Sequence, residues 1–319
     1  MKKPHELVIE ALKSAARNNQ MKDAFQQSKE LYPLLLKAAR RYVAGEVRAD
    51  AIAVAENLLA KDYQVSLEFI GENTVNLEEC QKAMKEFMSL IDGMGALSLK
   101  QTVSFDLSHI GLSIDKEIAY NHLLQLVQHA NTHGIILMVS MEESSKTDAI
   151  LDIYKKIAAQ YDNIGITVQA HLYRTEMDLQ ELVQYPGKIR LVKGAFQEPS
   201  TIAMERSEAL NHRYLQFIDQ LIKWNHPLSI ATHDEVLIQE MEQRHYFQQS
   251  NVEIEMLYGI RPDLIQSLQR KGYNCKVYLP YGQEWYLYLC HRLAENPENL
   301  YSAVTDMLST SLLDSSEGY

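Results

Sequence analysis

The chain has 319 residues, 46% hydrophobic and 23% charged, the balance of an ordinary folded globular protein with ample apolar surface for a core. Its formal net charge is −11 and no basic group exceeds the local Lys37, Arg40 and Arg41, so no nucleic-acid partner is expected. No apolar run approaches the ~20 residues of a membrane span, and Met1-Lys2-Lys3 opens a polar segment rather than a signal sequence, which points to the cytoplasm.

From the amino terminus, Leu7, Ile9, Leu12 and Ala15, then Leu31, Leu34, Leu35, Ala38 and Tyr42, recur at helical spacing. They predict helices over residues 5–60, interrupted at Gly45. Eight short apolar runs follow, at 65–71, 96–100, 135–140, 164–169, 188–193, 228–232, 252–257 and 276–280, with stretches of helical period between them. The alternation predicts an α/β fold, a (β/α)8 TIM-type barrel with an N-terminal helical extension. The expected division is N-terminal helices over 1–62, the barrel over 63–304 and a tail over 305–319 that begins helical and ends frayed. Residues 101–111 read as a long loop after the second strand, a candidate lid. Cys80, Cys275 and Cys290 are odd in number and lack CxxC spacing, so they read as reduced, structural thiols.

Barrel enzymes gather their chemistry at the carboxyl ends of the strands. On this assignment those positions hold Glu72, Lys100, Ser140, Gln169, Lys193, Thr232 with His233, Leu257 and Tyr281. Arg190 shares the parity of Val192 and reads as inward-facing. A buried guanidinium needs an anionic partner, either a structural carboxylate or a bound cofactor, and spacing leaves both open. In the last helical stretch of the barrel, Trp285, Tyr288, Arg292 and Glu295 share one face with His291 beside them. That face is either an arginine paired with Glu295 or Glu298, or an anion clamp with an aromatic wall. No second His or Cys stands at metal spacing to His233, so no metal site is expected. Gly93-Met94-Gly95 is a fragment of a dinucleotide fingerprint, and GxSxG, Walker and HExxH motifs are absent from the sequence.

One ordered series of segments does carry a resemblance. It comprises Arg41-Tyr42-Val43-Ala44-Gly45-Glu46, Phe69-Ile70-Gly71-Glu72, Leu97-Ser98-Leu99-Lys100, Val168-Gln169-Ala170-His171-Leu172 and Arg190-Leu191-Val192-Lys193-Gly194-Ala195-Phe196. It continues through Ala231-Thr232-His233-Asp234, Glu255-Met256-Leu257-Tyr258-Gly259, Val277-Tyr278-Leu279-Pro280-Tyr281-Gly282 and Tyr288-Leu289-Cys290-His291-Arg292-Leu293-Ala294-Glu295. From about Arg41 to Asn299 the chain resembles the monofunctional bacterial proline dehydrogenases, flavoenzymes built on a distorted (β/α)8 barrel.

The resemblance implies FAD contacts at Gln169, Arg190, Lys193, Gly194, Ala195, Thr232, His233 and Glu295, with Arg190 near the flavin N5 edge. It implies a substrate site at Lys100, Leu257, Tyr278, Tyr288, His291 and Arg292, and an acidic gate at Glu72. The implied reaction is oxidation of L-proline to 1-pyrroline-5-carboxylate by hydride transfer to flavin N5, with Arg292 and Lys100 on the substrate carboxylate. A quinone-type electron acceptor and at most peripheral contact with the inner face of the membrane accompany it. Three positions depart from the family pattern: His291 replaces one of two paired arginines, Ser140 replaces an acidic residue, and Phe196 replaces a tyrosine. They leave open the same flavin chemistry on a related cyclic or N-substituted amino acid, and a non-catalytic flavin- or partner-binding barrel.

Overall fold

The computed structural model describes residues 4–16, 18–99, 101–295, 298–308 and 318–319. Helices α1 (Pro4–Ala16), α2 (Asn19–Gln27), α3 (Leu31–Ala39) and α4 (Arg48–Ala60) precede the barrel. The barrel runs β1 (Gln64–Phe69), α5 (Leu77–Ala96), β2 (Thr102–Phe105), α6 (Lys116–His133), β3 (Ile136–Val139), α7 (Thr147–Ala158), β4 (Ile164–Gln169) and α8 (Thr175–Leu182). It continues through β5 (Ile189–Val192), α9 (Glu208–Lys223), β6 (Leu228–Ala231), α10 (Glu235–Gln243), β7 (Val252–Leu257), α11 (Pro262–Arg270), β8 (Cys275–Tyr281), α12 (Trp285–Glu295) and α13 (Glu298–Leu308). All eight strands are parallel and close in chain order, β8 pairing back onto β1 with Ser66 opposite Tyr278. The expected (β/α)8 architecture is the observed one.

Local chemistry sets the element ends. The side chains of Asp115, Ser207 and Asp234 accept backbone N–H bonds at the starts of α6, α9 and α10. Gly134, at φ +65°, ends α6. Outward-facing Val65, Leu67, Val103, Phe105, Ile189 and Leu191 are fully buried against the helices. The opposite parity, facing the barrel axis, is polar instead of the usual branched aliphatic filling.

Two layers of charge occupy that axis. In the lower layer Glu253 accepts from Lys188 at 2.5 Å and from Lys276 at 2.6 Å, and Lys276 also reaches Thr102 at 3.2 Å. Burial opposes ionisation of Glu253, yet the two lysines hold its pKa at about 2. One layer up, Arg190 donates to both oxygens of Glu255, at 2.9 and 2.7 Å, and to Ser66 and Ser104 at 3.1 and 2.8 Å. Ser229 completes the set on Glu255 at 2.6 Å. A structural carboxylate is thus one partner of Arg190.

A second core lies over α12. Ala38, Ala39, Tyr42 and Val43 pack with Trp285, Tyr286, Leu289 and Leu293. Phe25 meets Tyr286 and Tyr32 meets Trp285 at centroid distances of 5.5 and 5.4 Å. Lys22 pairs with Glu284, Glu46 accepts from Tyr32 and Trp285, and Arg41 grips Asp306 through two 2.6 Å bonds. The N-terminal helices thus brace the helix that carries Tyr288 and Arg292. Among the described residues no helix is long and apolar enough to cross a membrane.

The second strand is a correction. Residue 96 ends α5 rather than opening a strand, Ser98 turns the chain at φ +56°, and β2 begins at Thr102. Leu97-Ser98-Leu99 has the alternation of a strand, whereas Thr102-Val103-Ser104-Phe105 turns its polar residues toward a polar barrel axis and so looked like a loop. Lys100 itself falls outside the described residues. Its neighbours Leu99 and Gln101 stand at the amino-terminal end of β2, and the position following the carboxyl end of that strand belongs to Asp106.

Residues 101–111 are consequently no lid. They hold β2 and a buried turn in which Leu107, Ser108 and Ile110 are inaccessible and His109 packs on Phe69 and Phe87 at 5.3 and 5.6 Å. Tyr281 also moves: it faces outward and donates to Glu86 at 2.9 Å, away from the mouth. At the carboxyl terminus the end of the expected frayed tail is docked, because Tyr319 stacks on Tyr258 and its hydroxyl accepts from the Gly259 amide at 2.7 Å.

Candidate active site

The mouth at the carboxyl ends of the strands divides into two arcs. The first is built by β4, β5 and β6. Gln169, 2% exposed, donates from Nε2 to the Glu142 carbonyl at 2.9 Å, and its Oε1 is buried without a hydrogen-bond partner. His171 Nδ1 meets the Lys193 carbonyl at 2.9 Å, which leaves Nε2 as a second buried, unpartnered acceptor. Gly194, at φ +111°, must be glycine here, since a Cβ would stand 1.5 Å from His171 Nδ1. Lys193 is held by Asn211 and Asp234, each at 2.7 Å. Burial works against the charge on Asp234, and Lys193 nevertheless keeps its pKa below the ordinary value.

His233 closes this arc. The Leu257 amide donates to its Nε2 at 2.8 Å, so the ring proton sits on Nδ1 and the ring is neutral. Burial first, then Arg292 and Arg261, push its pKa down to about 3. Thr232 is buried beside it and accepts from the Asp234 amide at 3.2 Å. Ala195 and Phe196 follow on exposed backbone at the edge.

The second arc is built by β8, β1, β2 and β3 under α12, and it is acidic. Glu68 is hydrogen-bonded to Tyr278, and burial raises its pKa to about 7 against the pull of Tyr278 and Arg190. Asp106 is pushed well above the ordinary carboxylate range, by burial first and then by Glu142, Glu68 and Glu72, although Ser140 hydrogen-bonds to it. Glu72 stands at the solvent edge, raised by the protein packed around its carboxyl and then by Glu142.

Among the described residues the cations nearby are paired with other carboxylates. Lys146 pairs with Glu142 and Glu143 at 2.7 and 2.9 Å, Arg190 with Glu255 at 2.7 Å, and Arg292 with Glu295 at 2.7 Å. Glu68, Asp106 and Glu72 make no ion pair among the described residues.

Arg292 overhangs both arcs, near enough to Glu68 and His233 to lower the pKa of each. Its guanidinium lies 4.9 Å from the Tyr288 ring centroid, and both its Nε and the Tyr288 hydroxyl are buried without a partner. The expected pair with Glu295 and the expected aromatic wall are therefore both present. Tyr278 lies under Arg190 at 5.0 Å. Leu257 reaches the mouth at the end of β7, and His291 is exposed on the next face of α12.

Residues 51–303 match the family model for proline dehydrogenase. The chain belongs to the proline dehydrogenase family. This member is 31% identical over 273 residues to proline dehydrogenase 2 of Bacillus subtilis (strain 168), covering 85% of the chain and 90% of that protein. It is 31% identical over 278 residues to a proline dehydrogenase of Deinococcus radiodurans, with the same two coverages of 85% and 90%. Its fold is similar to the solved proline utilization A of Bdellovibrio bacteriovorus inactivated by N-propargylglycine, with a TM-score of 0.76 and 18% identity over 99% of the chain and 40% of that protein. The family is one of oxidoreductases, and this member is an enzyme.

Sequence reasoning missed Glu68, Asp106 and His171 as residues of the mouth. Parity would have found Glu68, which alternates inward with Ser66, and a correctly placed β2 would have found Asp106, two residues beyond Ser104. His171 stood inside a quoted motif, but nothing local signals that its ring reaches back to the β5 loop.

Proposed function

We propose that this family member oxidises a small amino acid at the carbon next to its nitrogen, with FAD as cofactor and L-proline as the first substrate to test. The observation carrying this reading is Arg292, a guanidinium with a free buried Nε laid on Tyr288 above the junction of the two arcs. The first arc fits a flavin: two buried acceptors without partners, a neutral histidine whose proton is on Nδ1, and a glycine turn that keeps side chains out. Gln169, Arg190, Lys193, Gly194, Ala195, Thr232, His233 and Glu295 would hold the group. FAD bound there would supply the two-electron oxidant, an N5 acceptor for the hydride lost from the substrate carbon, with 1-pyrroline-5-carboxylate as the product expected from proline.

The chain's own residues do the rest. Arg292 fixes the substrate carboxylate by charge-assisted hydrogen bonds while Tyr288, Tyr278 and Leu257 wall the ring, with Glu72 at the entrance. The amine loses hydride only when it is uncharged, and Glu68, titrating near 7 beside Tyr278, is suited to take its proton. A quinone-type compound would serve as the final electron acceptor. The test is mass-spectrometric detection of a product lacking two hydrogens after incubation with L-proline and FAD. No product from proline or any related amine would end this reading.

A second reading is favoured by Asp106: the same chemistry on a related cyclic or N-substituted amino acid bearing an additional positive charge. The second arc sets three carboxylates without ion pairs, among the described residues, against one overhanging arginine. Crowding and desolvation disfavour the charged forms of these carboxyl groups, and a cationic group on the substrate would favour them. Comparison of kcat/KM across L-proline, N-methyl amino acids and amino-substituted prolines separates the two, since a clear preference for L-proline removes the second.

A further inference from the structure

A separate cluster lies on the outer surface, between the last turns of α5 and α6. His129 and His133 are four residues apart on α6, one helical turn, so both imidazoles project from the same face. Facing them on α5 is Asp92. Its Oδ1 lies 2.7 Å from His129 Nε2 and 3.5 Å from His133 Nε2, and the ligand atoms of all three residues fall within 4.8 Å of one another. Both helices run antiparallel to the strands, so their last turns lie at the end of the barrel opposite the mouth.

We infer that Asp92, His129 and His133 form a binding site for a divalent transition metal, zinc by chemical preference, that clamps α5 to α6. Tetrahedral ligands about 2.0–2.1 Å from a zinc ion stand about 3.3 Å from one another. Two of the three separations, 2.7 and 3.5 Å, bracket that value and the third is within 4.8 Å, so side-chain rotations would seat the ion. Two imidazole nitrogens and one carboxylate oxygen are a borderline donor set that suits zinc better than calcium or magnesium, with water free to fill the fourth position.

A plain surface hydrogen bond accounts for His129 on Asp92, but it does not account for a second imidazole converging on the same oxygen. The backbone also makes room for that convergence. Gly95 stands one turn after Asp92, and a Cβ there would lie 2.1 Å from His133 Nδ1. The His133 ring occupies the space a side chain would fill. The residues are 29–30% exposed for the histidines and 59% for Asp92, so an ion can enter from solvent without the barrel opening.

The test is isothermal titration of zinc chloride into the chelator-treated full-length protein, with thermal melts alongside. One equivalent should bind and raise the melting temperature. His133→Gln and Asp92→Asn should each weaken binding at least about tenfold and abolish the melting shift. Gly95→Ala, which leaves all three ligands in the sequence, should weaken it too. His245→Gln, altering an exposed histidine elsewhere, should change nothing. Failure of the wild-type protein to bind a stoichiometric ion, or equal binding by His133→Gln, would overturn the site. Melting curves of the variants without zinc verify that each is folded.

Discussion

The lower half of the barrel axis and the acidic arc of its mouth are both lined with charge, and they handle it in opposite ways. Below, every ion has its partner: Glu253 takes Lys188 and Lys276, and Glu255 takes Arg190 with three serines around the pair. Above, Glu68, Asp106 and Glu72 crowd one another while the neighbouring cations serve other carboxylates. The paired layers tie β1, β2, β5, β6, β7 and β8 together across the axis. In the acidic arc desolvation and the neighbouring carboxylates instead favour the protonated forms. Arg190 shows why the distinction matters, because its sequence position left either partner open and its guanidinium is held by Glu255 within the paired layer.

The largest expected effect breaks the paired layer. Glu253→Ala leaves two lysines facing each other without an anion, and removing one member of a buried cluster costs about 3–5 kcal/mol. A denaturant melt should report that loss, and a change within experimental error would show the layer to be dispensable. Next comes the overhang between the arcs. Arg292→Ala should raise KM for a carboxylate-bearing substrate by about 100-fold, as expected for losing roughly 3 kcal/mol of charge-assisted binding, while flavin content stays normal.

Asp106→Asn sharpens the comparison from the acidic side. Removing this carboxyl group should shift selectivity toward substrates without an additional cation by about tenfold. Unchanged ratios across the amine panel would mean that Asp106 does not face the substrate.

Glu68 gives the smallest and most specific signal. Its folded-state pKa of about 7 lies above the ordinary 4.5, so the stability it confers is complete below 4.5 and is lost as pH rises through 7. Glu68→Gln cannot ionise and should flatten that segment of the melting-temperature profile. The same variant should lose any rise of kcat/KM through pH 7, and a profile identical to wild type would remove Glu68 as the proton acceptor.

Much of this was legible beforehand where pattern and physics agree. Strands β4 and β7 fall where their fully apolar or alternating runs place them, and Gln169, Lys193, Thr232 and His233 follow from strand ends. The sequence misled where the barrel axis is polar. Thr102 and Ser104 face charge rather than aliphatic side chains, so their strand offered only Val103 and Phe105 as apolar residues and a helix terminus was read in its place. That one displacement turned a buried turn into a lid and hid Asp106. The metal cluster shows a different limit: the His129 and His133 spacing is written in the sequence, but Asp92 joins them only through the packing of α5 on α6.

The most direct measurement is the visible spectrum of the FAD-reconstituted protein under anaerobic conditions before and after L-proline. Flavin held by the β4–β6 arc and bleached by proline, or by a charged relative from the amine panel, is the predicted result. A protein that takes up no flavin, or whose flavin stays oxidised with every amine offered, would contradict the assignment of the two arcs.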